Sequence, residues 1–165
     1  MEEWIKLPAT ERENYLEFHR HAYSEDLKHA EKNILEFPRW SIISGYYAMH
    51  DATKLFLAER YNIKLTSPHI HNKAINALKE YVKEEELKKR ILELLEEAKG
   101  IYYSAERLKE RILPVLLKRG QEERGKSQYY TNDYTEKSTV EPKKASYFIE
   151  TIVRPYISLI EGLMR

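Results

Sequence analysis

The chain has 165 residues, 42% hydrophobic and 33% charged, with a formal net charge of +1 and no cysteine. That length supports one domain with a real core, and the near-neutral balance excludes a globally basic surface, so any basic patch is local. The absence of cysteine excludes disulfides, thiolate zinc sites and cysteine nucleophiles.

No run approaches the roughly 20 apolar residues of a membrane span. The start, MEEWIKLPATERE, is acidic and broken by Pro8 and has no signal-peptide pattern. A cytoplasmic protein is therefore expected. The Lys- and Glu-rich composition follows the hyperthermophile trend.

Residues 1–9 read as a short lead-in. Thr10 suits a helix N-cap, with Glu11 and Glu13 favourable in the first turn. A long helix is predicted to about Phe37, burying Tyr23, Leu27, Ala30, Ile34 and Phe37, with Leu16 and Phe18 extending that face. Asp26 lies on its rim, where an acid usually finds a cationic or hydroxyl partner. Pro38–Tyr61 reads as a second helix, with Pro38 in its first turn. Trp40, Ile42, Ile43, Tyr46, Met49, Ala52, Leu55, Phe56 and Leu57 make it apolar on almost every side, the pattern of a helix buried on several faces. Its exception is a polar seam of Ser44, Tyr47, Asp51 and Lys54 at spacings of three and four, with His50 beside it. The seam is either a solvated strip with an Asp51–Lys54 pair or one wall of a functional cleft.

A loop follows. Ser67 and Pro68 form an N-cap and first-turn pair for a helix over 68–82, which buries Ile70, Ala74, Ala77, Leu78 and Tyr81. His69 and His71, two residues apart, point to different sides and read as exposed or capping residues, not a local metal pair. From Glu84, the residues Ile91, Leu94, Leu95, Ala98, Tyr102, Ala105, Leu108, Ile112 and Val115 keep one helical phase. One long helix is predicted, bent at Gly100 and kinked near Pro114, the alternative being two helices broken at Gly100. In 118–132 the large aliphatic residues vanish, and Lys118, Arg119, Arg124 and Lys126 form a local basic run. Residues 133–140 read as a polar loop. Ser138 and Glu141 match a capping box ahead of Pro142, and a last helix buries Ala145, Phe148, Ile152, Tyr156, Leu159 and Leu163, with a bend at Pro155. No strand-like alternation is strong enough to assign. The fold class expected is an all-α, up-and-down bundle of five or six helices in one domain.

Several chemistries find no motif. There is no glycine-rich phosphate loop, no GxSxG, no HExxH, and no repeated Glu-x-x-His for a di-iron core. No metal or cofactor is expected. The remaining polar constellation is Asp26, the seam of Tyr47, His50, Asp51 and Lys54, and Arg124 with Tyr129 and Tyr130. Arginine binds phosphate through two donors and tyrosine stacks on bases, so such a set suits an RNA phosphodiester. The plainer reading of each is structural: a braced acid, a solvated strip and a solvated helix end.

The segment SGYYAMHDATKLFL (44–57) resembles the second-helix signature of HEPN domains, small all-α domains of prokaryotes and especially of archaea. SEDLKHAEKNIL (24–35) is similar to their first helix and SPHIHNKAINAL (67–78) to the His-containing start of their next one. RGKSQYYT (124–131) followed by ASYFIETIV (145–153) is similar to their closing segments. The resemblance implies a bundle that forms a homodimer. It also implies a metal-independent ribonuclease or a relative of one, of the kind found as toxins paired with a nucleotidyltransferase antitoxin. The family's catalytic motif is an Arg, four to six residues, then a His. Arg124 falls at the Arg position, but Tyr129 stands where the His is expected, and Gly125 replaces the small polar residue after the Arg. Tyr129, with an ordinary pKa of about 10, is no general base at neutral pH, although it can orient a phosphate.

Three readings follow: a non-catalytic module binding RNA or a nucleotidyltransferase partner, a ribonuclease with a divergent Arg-x4-Tyr motif, and a structural dimerisation domain. Arg124 and Tyr129 are the catalytic candidates. Asp26, Tyr47, His50, Asp51, Lys54, Lys126 and Tyr130 are the binding candidates. They are expected to converge on one polar cleft in which Asp26 orients Arg124.

Overall fold

The structure, a computed structural model, describes residues 2–122 and 140–165, with 107–122 described by backbone alone. Four long helical rods pack around one core: α1 (Ala9–Lys32), α2 (Pro38–Tyr61), α4 (Glu85–Glu122) and a composite C-terminal rod. The last comprises α5 (Pro142–Tyr147), a π-helical stretch (Phe148–Val153) and α6 (Arg154–Met164). A short helix, α3 (Ile70–Tyr81), packs against both α2 and α4. The result is the all-α bundle expected, with five helical rods among the described residues.

The direction of each rod follows from its partners. The pairs Arg12–Ala58, His19–Asp51 and His29–Ser44 run α1 antiparallel to α2. Arg39–Ala105 and Tyr47–Tyr102 make α4 antiparallel to α2. Thr53–Tyr156 and Arg60–Arg165 make α6 parallel to it. The four long rods therefore alternate up and down, with α2 at the centre.

Helix α2 has the bounds read from the sequence, with Pro38 in the first turn and Asn62 closing it in the left-handed conformation (φ 57°). Fifteen of its residues are buried, as expected of a helix apolar nearly all round. Arg12 donates to the carbonyls of Ala58 and Glu59 and to Asn62 Oδ1, so a cation sits on the last carbonyls of α2. Inside, Thr53 Oγ1 donates to the Met49 carbonyl (2.7 Å) and accepts from the Tyr156 hydroxyl (2.6 Å), satisfying both buried groups.

Several expectations are corrected. Helix α1 starts at Ala9 with Pro8 at the cap position and no side-chain cap, so Thr10 does not cap it. It stops at Lys32, because Asn33 turns its amide back onto the His29 carbonyl and the chain must leave the helical region before Pro38. Phe37 consequently falls outside the helix and is 55% exposed, and Phe18 points outward at 65%. Residues 1–9 and the loop after α2 carry a two-stranded antiparallel sheet, β1 (Trp4–Lys6) with β2 (Ile63–Leu65), in the register Trp4↔Leu65. Three-residue strands are too short to display an alternating pattern, and their pairing spans about sixty residues of sequence. Thr66 holds the sheet's end by donating to the carbonyls of Glu2 and Glu3.

Helix α3 starts two residues later than expected. The Ser67–Pro68 peptide bond is cis and His69, at φ 63°, takes the cap position. A non-glycine residue at positive φ is uncommon and costs energy. Helix α4 runs unbroken through Gly100 and Pro114, so the one-helix reading holds. The irregularity expected at Pro155 takes the form of the π-helical stretch just before it. Proline cannot donate to the carbonyl four residues back and its ring crowds that group, which a wider turn relieves. The capping box at Ser138, the side chains of Leu108, Ile112 and Val115, and the polar loop up to 139 lie outside what is described. No helix among the described residues is long and apolar enough to cross a membrane.

Candidate functional site

The polar seam of α2 does not open on one cleft; the half-exposed ring of Tyr47 divides it between two. On one side, α2, α4 and the start of α3 enclose a pocket of about 430 Å³. It is lined by Tyr46, Tyr47, His50 and Lys54 of α2, His69 and His71 of the α3 start, and Lys99, Tyr102 and Tyr103 of α4, among others. None of the described residues lining it is acidic.

Its inner wall is a ladder of rings. Tyr46 stacks on Tyr102 with centroids 4.2 Å apart and meets His50 edge-on at 4.6 Å. His50 and His71 lie 5.6 Å apart. The Tyr46 hydroxyl is 2.6 Å from His71 Nδ1. Burial drives the Tyr46 pKa upward, so its O–H is the donor and His71 accepts on Nδ1. That assigns the proton of neutral His71 to Nε2, which faces Glu96 at 3.5 Å. Burial lowers the His71 pKa, opposed by Glu96. His50 is more deeply enclosed: burial, then His71 and Lys54, hold its pKa down to about 3. Its Nδ1 is sealed, with no hydrogen-bond partner among the described residues. At neutral pH His50 is therefore an uncharged imidazole, and Lys54 and Lys99 bring the positive charge of the pocket.

On the other side of Tyr47, a pocket of about 550 Å³ lies between α1 and the first turns of α2. Asp26, His29 and Asn33 line it from α1 and the turn after it, and Trp40, Ser44 and Tyr47 from α2. His29 Nδ1 and Ser44 Oγ are 2.5 Å apart.

In the wall of this pocket Asp26 is one half of an acidic pair. Asp51 takes a hydrogen bond from His19 Nδ1 at 2.6 Å and stands next to Asp26. The Asp51–Lys54 pair read from the sequence is replaced by this contact, and the neighbour that Asp26 meets among the described residues is another carboxylate. Burial, then the Asp51 charge, raise the Asp26 pKa to about 6. Burial and Asp51 likewise raise the neighbouring Tyr15 to about 12. Folding lifts the Asp26 pKa above its unfolded value of about 4, so the folded protein binds the extra proton. The contribution is favourable in acid and is lost as pH rises through about 6. Asp26→Asn keeps the hydrogen bond to Asp51 without the charge. Since the site is partly open to solvent, we expect it to raise stability at pH 7.5 by about 1 kcal/mol, or about 2–4 °C in Tm. At pH 4 it should change little. Thermal melts at both pH values check this, and an equal shift at both would count against the assignment.

Of the sequence candidates, Tyr47, His50 and Lys54 share the first pocket, Asp26 and Tyr47 share the second, and Asp51 joins Asp26. Arg124, Lys126, Tyr129 and Tyr130 lie outside the described residues, so the expected Asp26–Arg124 contact does too. Sequence reasoning missed Tyr46, Lys99, Tyr102 and Tyr103 as pocket residues and read His71 as exposed or capping, whereas it is buried. Tyr46 and Tyr102 carried only a core signal, and nothing in the spacing of α3 or α4 says which face of α2 they meet. Among the described residues no group of three or more His, Asp or Glu is disposed to hold a metal ion. Compared with protein-family models, curated proteins and solved structures, the chain matches none.

Proposed function

We propose that this chain is a HEPN-like helical module that binds RNA through the pocket between α2, α3 and α4. The observation that carries the reading is the composition of that pocket. Among the described residues, two lysines and three histidines stand among four tyrosines, with no acidic residue in the lining. Lysines attract phosphate as point charges, imidazole N–H groups donate to its oxygens, and tyrosine faces stack on bases without regard to sequence. Binding is favoured over catalysis because an effective general base has a pKa near the working pH, and His50 at about 3 is too weak. The replacement of the family's His by Tyr129 points the same way. A homodimer, a nucleotidyltransferase antitoxin as partner and a cytoplasmic location belong to the same proposal.

Fluorescence polarisation with a single-stranded RNA oligonucleotide tests it. Lys54→Ala with Lys99→Ala should weaken binding about tenfold or more and flatten the slope of log affinity against log salt by about 1.4, the share of two phosphate contacts. Unchanged affinity and slope would remove the pocket from the interface. RNA incubated with the protein in chelator should stay intact. Cleavage that disappears in Arg124→Ala would establish instead the divergent ribonuclease reading. Light scattering should give about 40 kDa, twice the 19.8 kDa of one chain, and a value of about 20 kDa at micromolar concentration would exclude the homodimer.

A further inference from the structure

The second pocket has the opposite character from the first. Three large aromatic side chains, Phe37, Trp40 and Tyr47, each about half exposed, stand around it. Among the described residues, Asp26 is the one carboxylate in its lining, and neither lysine nor arginine lines it. Exposed aromatic surface of this size on a soluble domain calls for an explanation. The Asn33 amide nitrogen already donates to the His29 carbonyl at 2.8 Å, which leaves the side-chain oxygen of Asn33 as an acceptor. The pocket thus offers aromatic faces and hydrogen-bond acceptors together.

We propose that the pocket between α1 and α2 binds a guanidinium group, stacked on the Trp40 and Tyr47 rings and hydrogen-bonded to Asp26. Three arguments favour this ligand. Aromatic faces attract cations, and a tryptophan face does so most strongly. A flat guanidinium stacks on a ring while its edge forks onto a carboxylate, which a compact ammonium cannot do. Among the described residues the charge at the site is also unbalanced. Asp51 and Glu25 repel the Asp26 carboxylate, and its nearest described neighbours put no cation against it. A bound cation relieves that repulsion. Trp40 already has the Arg39 guanidinium 5.5 Å from its ring centroid, so one guanidinium contact at this ring is present in the fold itself. Arg39 is committed elsewhere, to the Ala105 carbonyl and to Glu106, and does not line the pocket. The proposal uses a different cavity from the one assigned to RNA and does not depend on it.

The test is a titration followed by the Trp40 indole N–H resonance in a nitrogen-labelled sample of the full chain. Trp4, the other tryptophan, lies on β1 and serves as the internal reference. The probes are N-acetyl-arginine amide, its uncharged isostere N-acetyl-citrulline amide, n-butylammonium, and a Gly-Arg-Gly peptide amide. Stacking plus one charged hydrogen bond predicts saturable shifts of Trp40 with a Kd on the order of millimolar for the arginine amide. Citrulline amide and butylammonium should bind at least about tenfold more weakly. Asp26→Asn, which the melts above should show to be folded, should abolish the arginine shift. Tighter binding of the peptide than of the amide would identify an arginine side chain of a protein as the source of the group. Equal binding would identify a free guanidino compound. No Trp40 shift at about ten times that concentration, equal binding of citrulline amide, or a shift that persists unchanged in Asp26→Asn would overturn the proposal.

Discussion

Met49→Asp is expected to abolish cooperative folding. Met49 lies midway along α2 and is fully buried in the common core, where α2 meets α1, α4 and the C-terminal rod. The described core cluster around it is apolar, and an unpaired buried charge costs several kcal/mol. Against a total stability of roughly 5–15 kcal/mol, that is most or all of what holds the domain together. Met49→Leu is the control, since a volume-conserving apolar exchange costs less than about 1.5 kcal/mol. Circular-dichroism melts should show a near-parent transition for the leucine variant and none for the aspartate. A cooperative melt of Met49→Asp at the parent temperature would mean that α2 is not the centre of the bundle.

Gly45→Leu should be nearly as damaging, for a steric reason. Gly45 is a buried residue inside α2, a position where glycine costs about 1 kcal/mol of helix propensity relative to alanine. Its place is explained by what faces it. A β-carbon there would stand 2.8 Å from Ile149 Cδ1, 3.1 Å from Val153 Cγ2 and 3.2 Å from Phe148 Cε2. All three belong to the π-helical stretch, so the missing side chain lets that stretch close onto α2. Leucine would force the two rods apart and cost about 3 kcal/mol, the upper part of the range for overpacking. Alanine needs only Ile149 and its neighbours to shift, and regains helix propensity, so it should fall between the parent and the leucine variant. Chemical-denaturation midpoints in the order Gly45, Gly45→Ala, Gly45→Leu are the expected result. A leucine variant as stable as the parent would show that the contact is loose.

These two positions also mark where reading the sequence succeeds and where it stops. Met49 as a core residue and α2 with its end points were legible, because Pro38, the apolar positions and the polar seam are local signals within one helix. The single course of α4 through Gly100 was legible for the same reason, since Ile91, Leu94, Leu95, Ala98, Tyr102 and Ala105 keep one phase. The role of Gly45 was not, because it depends on Ile149, about a hundred residues away. The seam itself was visible as Tyr47, His50, Asp51 and Lys54, but its division into two pockets of opposite charge was not. His71 and Lys99 reach His50 and Lys54 only through the packing of α3 and α4 on α2, and Asp26 meets Asp51 only because α1 runs antiparallel to α2 in one register. The pairing of β1 with β2 was equally out of reach, three residues against three across most of the N-terminal half. Spacings of three and four residues are set by the geometry of one helix, so the chain carries them in plain order. Which helix faces which, and at what register, is decided by the packing of whole surfaces. That is where the two lysines came to share a pocket and the two carboxylates came to stand side by side.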